Sequence, residues 1–323
     1  EWLSLYDSKS GERGIYNGLS AKRTVERTNE RYRDGTGNFI RRRDPRGDFG
    51  TNPCSEIILR SREFCNLSEV VIRRDDTSES LKEKVRNATI LGTFQSTLTE
   101  FKYLSREWKK NCDEERLLGV SLTGIMDNPL TNGSKKGLEE LLEELRDVAY
   151  ETNKKWAETL GIPVSAAITC VKPSGTVSQL VDSASGIHAR HNANYIRTVR
   201  ADNKDPLCKM MKAEGFPNEP DVTKPDHTTV FSFPAKSPTG AICRNDMTAW
   251  KQLSLWHTYA KEWCEHKPSV TVSVKEEEWV NTSAWVYDNF DDISGISFLP
   301  FSDHTYKQAP YQDCTKDEYN ELS

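Results

Sequence analysis

The chain has 323 residues, 36% hydrophobic and 29% charged, with a formal net charge of −5. That length accommodates one large α/β domain or two ordinary ones, and the composition is that of a folded, well-solvated protein rather than a disordered one. The mild acidity gives no overall attraction to nucleic acid or an anionic membrane, no run reaches the apolar length of a membrane span, and the first residues lack a secretory signal, so a cytoplasmic protein is expected.

In chain order, residues 36–50 are rich in Gly, Arg and Asp and read as a loop. Arg41, Arg42, Arg43 and Arg46 are interleaved with Asp44 and Asp48, which makes a solvated loop the better reading than a nucleic-acid patch. Leu81, Val85, Ala88, Leu91, Phe94, Leu98 and Phe101 follow the capping pair Thr77 and Ser78 at helical steps. Residues 117–122 form an apolar run with the length of a strand. Leu138, Leu141, Leu142, Leu145, Val148, Ala149, Thr152 and Trp156 trace one face of a long helix that stops at Gly161, Ile162 and Pro163. Strands are then expected at 166–171, 195–200, 228–233, 270–274 and 293–298. The intervening helices begin at Pro206, run through the Trp-rich 246–266 stretch, and cover 276–289. Strands separated by helical crossovers predict a mainly parallel sheet covered by helices, most simply an α/β barrel or a large part of one.

The stretch F-G-T-N-P-C-S-E-I-I-L, residues 49–59, carries the most chemistry. If it is extended, Asn52, Cys54 and Glu56 share one face, and an amide, a thiol and a carboxylate converge. Pro53 removes a backbone donor and favours a loop or a strand start, where a thiol can reach a substrate. Residue spacing alone leaves open that Cys54 is a small buried hydrophobe. The eight cysteines are dispersed, which predicts mostly free thiols in place of a disulfide framework. Cys65 lies eleven positions beyond Cys54, outside the short spacings of zinc or thioredoxin-like pairs. The run C-V-K-P-S-G-T-V-S-Q-L places Pro173, Ser174, Gly175, Thr176, Val177 and Ser178 in a strand-to-helix turn. Such a turn can aim N–H groups and hydroxyls at a phosphate, or be a plain turn. His257, Cys264 and His266 lie near one helix end, but Cys264 and His266 are two apart and face different ways, so no metal site is expected there.

Residues 52–70, N-P-C-S-E-I-I-L-R-S-R-E-F-C-N-L-S-E-V, closely resemble the active-site loop of ribonucleotide reductases, especially the monomeric, adenosylcobalamin-dependent class II enzymes. The resemblance continues in order through S-G-E-R-G-I-Y-N (10–17), G-V-S-L-T-G-I (119–125), K-P-S-G-T-V-S (172–178), S-G-I-H-A-R (185–190) and F-D-D-I-S-G-I-S-F-L-P (290–300). It implies part of a ten-stranded α/β barrel with a central finger loop. In that scheme residues 1–50 are a lead-in helix and loop, 51–70 the active-site loop, and 71–323 the remaining barrel half and carboxy-terminal elements. It also implies that Cys54 carries a thiyl radical that takes hydrogen from the ribose 3′ carbon. Glu56 would be the base for the 3′ hydroxyl, Asn52 would hold the sugar hydroxyls, Cys65 would be one of two reducing thiols, and residues Pro173 to Ser178 would bind the substrate phosphates.

The partners implied are adenosylcobalamin, a ribonucleoside di- or triphosphate, and an external dithiol reductant such as thioredoxin. In this family the loop lies mid-chain, so the start at Glu1 leads to the expectation that the amino-terminal half, with the thiol partner of Cys65 and the control site, resides on a separate fragment. The paired tail cysteines of the family are not matched by the single Cys314. Two other readings stand beside a split reductase: a fragment with a structural or inhibitory role, and a thiol redox protein working through a Cys54–Cys65 disulfide.

Overall fold

The computed structural model describes residues 2–8, 14–32, 36, 43–301 and 307–323. Residues 10–13 of the S-G-E-R motif, and Arg41 and Arg42 of the basic loop, lie outside the described residues. The elements are α1 (Trp2–Ser8), β1 (Gly14–Tyr16), α2 (Gly18–Arg31), β2 (Phe49–Thr51), β3 (Ile58–Arg60), β4 (Asn66–Val71), α3 (Ser78–Gln95), α4 (Arg106–Glu115), β5 (Leu118–Thr123) and α5 (Leu138–Leu160). There follow α6 (Gly175–Leu180), β6 (Asn194–Asp202), α7 (Pro206–Ala213), β7 (Asn218–Pro220), β8 (Thr228–Lys236), α8 (Ala249–Thr258), β9 (Thr271–Val274), α9 (Trp279–Asp288), β10 (Gly295–Pro300), β11 (Tyr311–Asp313) and α10 (Lys316–Leu322). Two compact units form, Glu1–His188 with Met247–Pro300 and Ala189–Asp246 with Phe301–Ser323.

The first unit is a run of parallel strand segments joined by helical crossovers. β4 and β5 pair in parallel from Asn66 opposite Leu118 to Val71 opposite Thr123, with α3 and α4 between them in sequence. After α5, residues 166–171 return alongside β5, where Leu118 N–H donates to Ala167 O at 3.0 Å and Cys170 N–H to Val120 O at 3.1 Å. Val171 in turn pairs in parallel with Pro268, and β9 pairs in parallel with β10. β1 lies antiparallel on β10, with Gly14 opposite Ser297. The described strands do not close, so the unit is an open part of an α/β barrel.

Local chemistry sets the helix ends. Thr77 Oγ1 accepts from Ser80 N–H at 3.3 Å while Ser80 Oγ accepts from Thr77 N–H at 2.9 Å, a reciprocal cap that starts α3. α5 ends at Gly161, whose φ of 65° suits a residue without Cβ. All six residues of β5 are buried, as expected for a parallel strand covered on both faces. One face carries Leu118, which lies against α3 at Gly92. The other carries Gly119 and Ser121 and looks toward the β2–β3 hairpin.

Four sequence expectations need correction. α3 stops at Gln95, so Leu98 and Phe101 fall outside it, and Leu91 and Phe94 are exposed; only the first half of the apolar stripe faces the core. The Trp-rich helix is shorter than expected, because the α-turns end at Thr258 and a wider π-turn spans Tyr259–Trp263. Residues 166–171 follow a strand path but not a regular ladder. Side chains take part of the backbone bonding there: Glu265 Oε2 accepts from Ile168 N–H at 2.7 Å, and Trp263 Nε1–H donates to Cys170 O at 2.7 Å. Finally, the strands expected at 195–200 and 228–233 are not part of a parallel sheet. They are β6 and β8, paired antiparallel from Asn194 opposite Lys236 to Asp202 opposite Thr228, in a four-stranded sheet of order β11-β6-β8-β7 that forms the second unit. A period-two apolar pattern specifies a strand, not the direction of its neighbour, and the connection through the short α7 and β7 proved compatible with an antiparallel return.

Candidate active site

Cys54 sits at the tip of the hairpin formed by β2 and β3, whose ladder runs from Phe49 opposite Arg60 to Thr51 opposite Ile58. The stalk is packed on one side by α2, where Ala21 and Val25 meet Phe49 and Ile58. Four buried or half-buried charges grip its base. Arg43 Nε lies 2.8 Å from Glu115 Oε2 and Arg43 Nη2 lies 3.5 Å from Glu63 Oε2, while Arg60 Nε lies 2.9 Å from Glu115 Oε1 and Arg60 Nη2 lies 3.4 Å from Glu63 Oε1. Arg43 Nη2 also donates to Ile58 O at 2.6 Å, and its guanidinium covers the Phe49 ring. Burial and the neighbouring Glu115 carboxylate raise the Glu63 pKa.

The tip is a turn, which corrects the expectation that residues 52, 54 and 56 share the face of an extended segment. Ser55 N–H donates to Asn52 O at 2.8 Å, and Ser55 takes a φ of 65°. Period-two alternation is lost, so Cys54 is exposed while Glu56 is fully buried. Asn52 Oδ1 accepts from Ile57 N–H at 3.0 Å, so this amide staples the turn. Ile57 then plugs inward over Gly119: a Cβ on that glycine would stand 3.2 Å from Ile57 Cδ1 and 3.4 Å from Cys170 Sγ. The absent side chain at Gly119 makes room first for Leu67 of β4, whose Cδ2 a Cβ there would overlap, and then for Ile57 of the hairpin.

Glu56 Oε1 accepts from Lys172 Nζ at 3.1 Å, and Oε2, though buried, has no hydrogen-bond partner among the described residues. Burial works against the Lys172 charge, but the Glu56 carboxylate outweighs it and holds the ammonium above the usual lysine range. Lys172 N–H donates to Ser121 Oγ at 2.8 Å, which fixes the start of the K-P-S-G-T-V-S run beside the base. The run turns at Ser174, φ 56°, and enters α6; Gly175, Thr176 and Val177 are exposed, whereas Ser174 and Ser178 are buried. Ser178 Oγ donates to Gly175 O at 3.1 Å and so serves the helix itself. Pro173 O accepts from Ser185 Oγ of the S-G-I-H segment.

Cys65 precedes β4 and packs against Leu117, Ala166 and Ala167. Burial first, and then the Glu56 carboxylate, push its thiol up to about 12, so it is protonated at neutral pH. Cys54, Ser55, Pro173, Lys267, Ser269 and Thr271 are among the residues lining a cavity of about 430 Å3, bounded on its other side by Gly14, Gly295 and Ser297. The structure thus brings Cys54 and Pro173 to one cavity; Asn52, Glu56, Cys65 and residues 174–178 are not among the residues that line it.

The histidines serve other ends. His188 Nδ1–H donates to Ser185 O at 3.0 Å and its Nε2 accepts from Thr271 N–H at 3.1 Å; burial lowers its pKa. His266 is buried, accepting from Ile58 N–H at 3.3 Å and donating to Leu118 O at 3.0 Å. His257 Nε2 pairs with Asp292 at 3.0 Å. Among the described residues no group of His, Cys, Asp or Glu is arranged to hold a metal ion, and no helix is long and apolar enough to cross a membrane.

Sequence reasoning did not select Lys172, Lys267 or Ser269 as site residues. Lys172 stood inside a quoted motif. Lys267 gave no sequence signal, because its burial comes from packing between distant segments.

No family model matches the chain. It is 31% identical over 275 residues to a protein of Euglena gracilis named adenosylcobalamin-dependent ribonucleoside-triphosphate reductase, a match covering 84% of this chain and 37% of that protein. A protein of the same name from Lactobacillus gasseri is 26% identical over 341 residues, covering 96% of this chain and 44% of its own length. The crystal structure of a B12-dependent (class II) ribonucleotide reductase superimposes with a TM-score of 0.80 at 23% identity, over 99% of this chain and 47% of that one; at this identity the likeness speaks for the fold. The chain spans about two fifths of the length of the curated relatives it matches.

Proposed function

Related to the adenosylcobalamin-dependent ribonucleotide reductases along most of its length, this chain is, we propose, a carboxy-terminal catalytic portion of such an enzyme. It would reduce ribonucleotides to 2′-deoxyribonucleotides together with an amino-terminal portion on another polypeptide. The observation that supports this best is the pairing of an exposed thiol on a braced hairpin with a buried carboxylate, Glu56, that keeps one oxygen open.

In this scheme Cys54, as a thiyl radical, takes the hydrogen atom from the ribose 3′ carbon to become a thiol, and returns that hydrogen at the end of the cycle to regain the radical. Glu56 accepts the 3′ hydroxyl proton through its free oxygen, while Lys172 holds the other oxygen and so orients the carboxylate. Asn52 keeps the turn in shape with Oδ1 and leaves Nδ2 to donate to the sugar. The exposed N–H groups opening α6, at Gly175, Thr176 and Val177, receive the substrate phosphates, with Pro173, Ser174 and Ser178 shaping the turn. Loss of the 2′ hydroxyl as water requires two electrons. They come from two thiols, Cys65 and a cysteine of the amino-terminal polypeptide, which join as a disulfide that an external dithiol such as thioredoxin reduces again. A thiol that stays protonated, as Cys65 does, suits hydrogen and electron donation.

Adenosylcobalamin, when bound, would supply the radical chemistry. The residues present fit it in one respect: short walls at Gly14, Gly295, Thr271 and Ser297 leave space beside Cys54 for a nucleoside-sized group such as the adenosyl moiety. The test is thiol mapping by mass spectrometry after turnover of the combined polypeptides without added dithiol. Cys65 joined to a cysteine of the other polypeptide is expected; a Cys54–Cys65 disulfide would favour the thiol redox reading instead.

A further inference from the structure

We propose that Lys267, in its charged form, is a positioning residue that pins the turn carrying Cys54. Lys267 is 2% exposed and lies on the segment between the end of the Trp-rich helix and β9. This segment grips the hairpin tip along its length. Ile58 N–H donates to His266 Nδ1 at 3.3 Å, Lys267 N–H to Glu56 O at 3.2 Å, Lys267 Nζ to Ser55 Oγ at 3.1 Å, and Ser269 Oγ to Cys54 O at 2.6 Å. Three are bonds that ordinary backbone and neutral side chains make. The ammonium is different, because burying it costs folding free energy that an apolar side chain of the same length would not cost. Its contribution therefore lies in what it bonds, and its hydrogen bond goes to the residue that holds the left-handed corner of the turn, Ser55.

The opposite wall is built to allow this approach. A Cβ at Gly295 would stand 2.7 Å from Ser55 Oγ and 3.0 Å from Lys267 Nζ. The titratable groups acting on the ammonium are Glu56 on the hairpin and Cys264 on its own segment, and Cys54 and Tyr16 line the same cavity. Burial pulls the Lys267 pKa down to about 8, against the favourable pull of Glu56 and Cys264, so the pin weakens just above neutral pH.

This inference rests on Cys54 being the reacting residue, but its test reads the turn and needs no turnover. Hydrogen exchange is measured on the 323-residue chain at the amides of Ser55 and Ile57, both bonded to Asn52, with α5 as internal reference. In Lys267→Met their protection should fall about tenfold, the worth of one hydrogen bond to a charged group. Ser55→Ala should lose a similar factor and the double variant no more, while Lys267→Arg keeps most of the protection. In the unaltered chain, protection corrected for intrinsic rate should fall between pH 7 and pH 9. Should Lys267→Met fold poorly, Ser55→Ala and the pH series decide alone. Unchanged protection in Lys267→Met, or a flat pH series in the unaltered chain, overturns the proposal.

Discussion

The base and the tip of the β2–β3 hairpin both bury charge, and they do so in opposite ways. At the base two arginines face two carboxylates, each guanidinium within 3.5 Å of both, and net charge cancels inside the cluster. At the tip Glu56 spends one oxygen on Lys172 and leaves the other open, and Lys267 donates to a neutral hydroxyl. A buried polar atom left open is costly unless something arrives to use it. The difference is one of charge pairing: the base acts as a structural brace, whereas under the proposed function the tip serves an incoming group, which is where perturbed ionisable residues are expected to gather.

Breaking the base should give the largest loss of stability. Arg43→Met leaves Glu63 and Glu115 buried with half their counter-charge, and urea denaturation should register a loss of about 3–5 kcal/mol. A change below about 1 kcal/mol would mean that the cluster does not brace the hairpin. At the tip the sign reverses. Lys267 has a folded pKa of about 8, below the unfolded value of 10.5. Between those values the unfolded chain holds the proton and the native chain does not, so stability rises with pH across that window, by up to about 3 kcal/mol. Denaturation midpoints from pH 7 to pH 10 should show the rise in the unaltered chain and not in Lys267→Met. The same interval loosens the turn locally, so global stability and local protection should move in opposite directions.

Much of the frame was legible in sequence because it rests on local chemistry. The Thr77 cap, the Gly161 stop and the Pro206 start each act within a few residues, and α3, α5 and α7 begin or end there as expected. The motif at 52–56 reads as an extended segment with one shared face, and that geometry is mistaken. Residues 52–55 form a turn held by Asn52 and Ser55, so strand alternation does not set where these side chains point. Illegible were the antiparallel pairing of β6 with β8 and the burial of Lys267. The burial of Lys267 depends on segments far apart in the chain, since it reaches a serine 212 positions away, and the direction of β8 against β6 is not written in a period-two pattern.

Cys54 offers the cleanest separation of stability from function. Its side chain is exposed, so Cys54→Ser should alter stability by less than about 0.5 kcal/mol. The decisive measurement is deoxyribonucleotide formation by this chain combined with an amino-terminal reductase polypeptide, adenosylcobalamin, a dithiol and a ribonucleotide. The account predicts product with the unaltered chain and none above background with Cys54→Ser; product at an equal rate from both would contradict it.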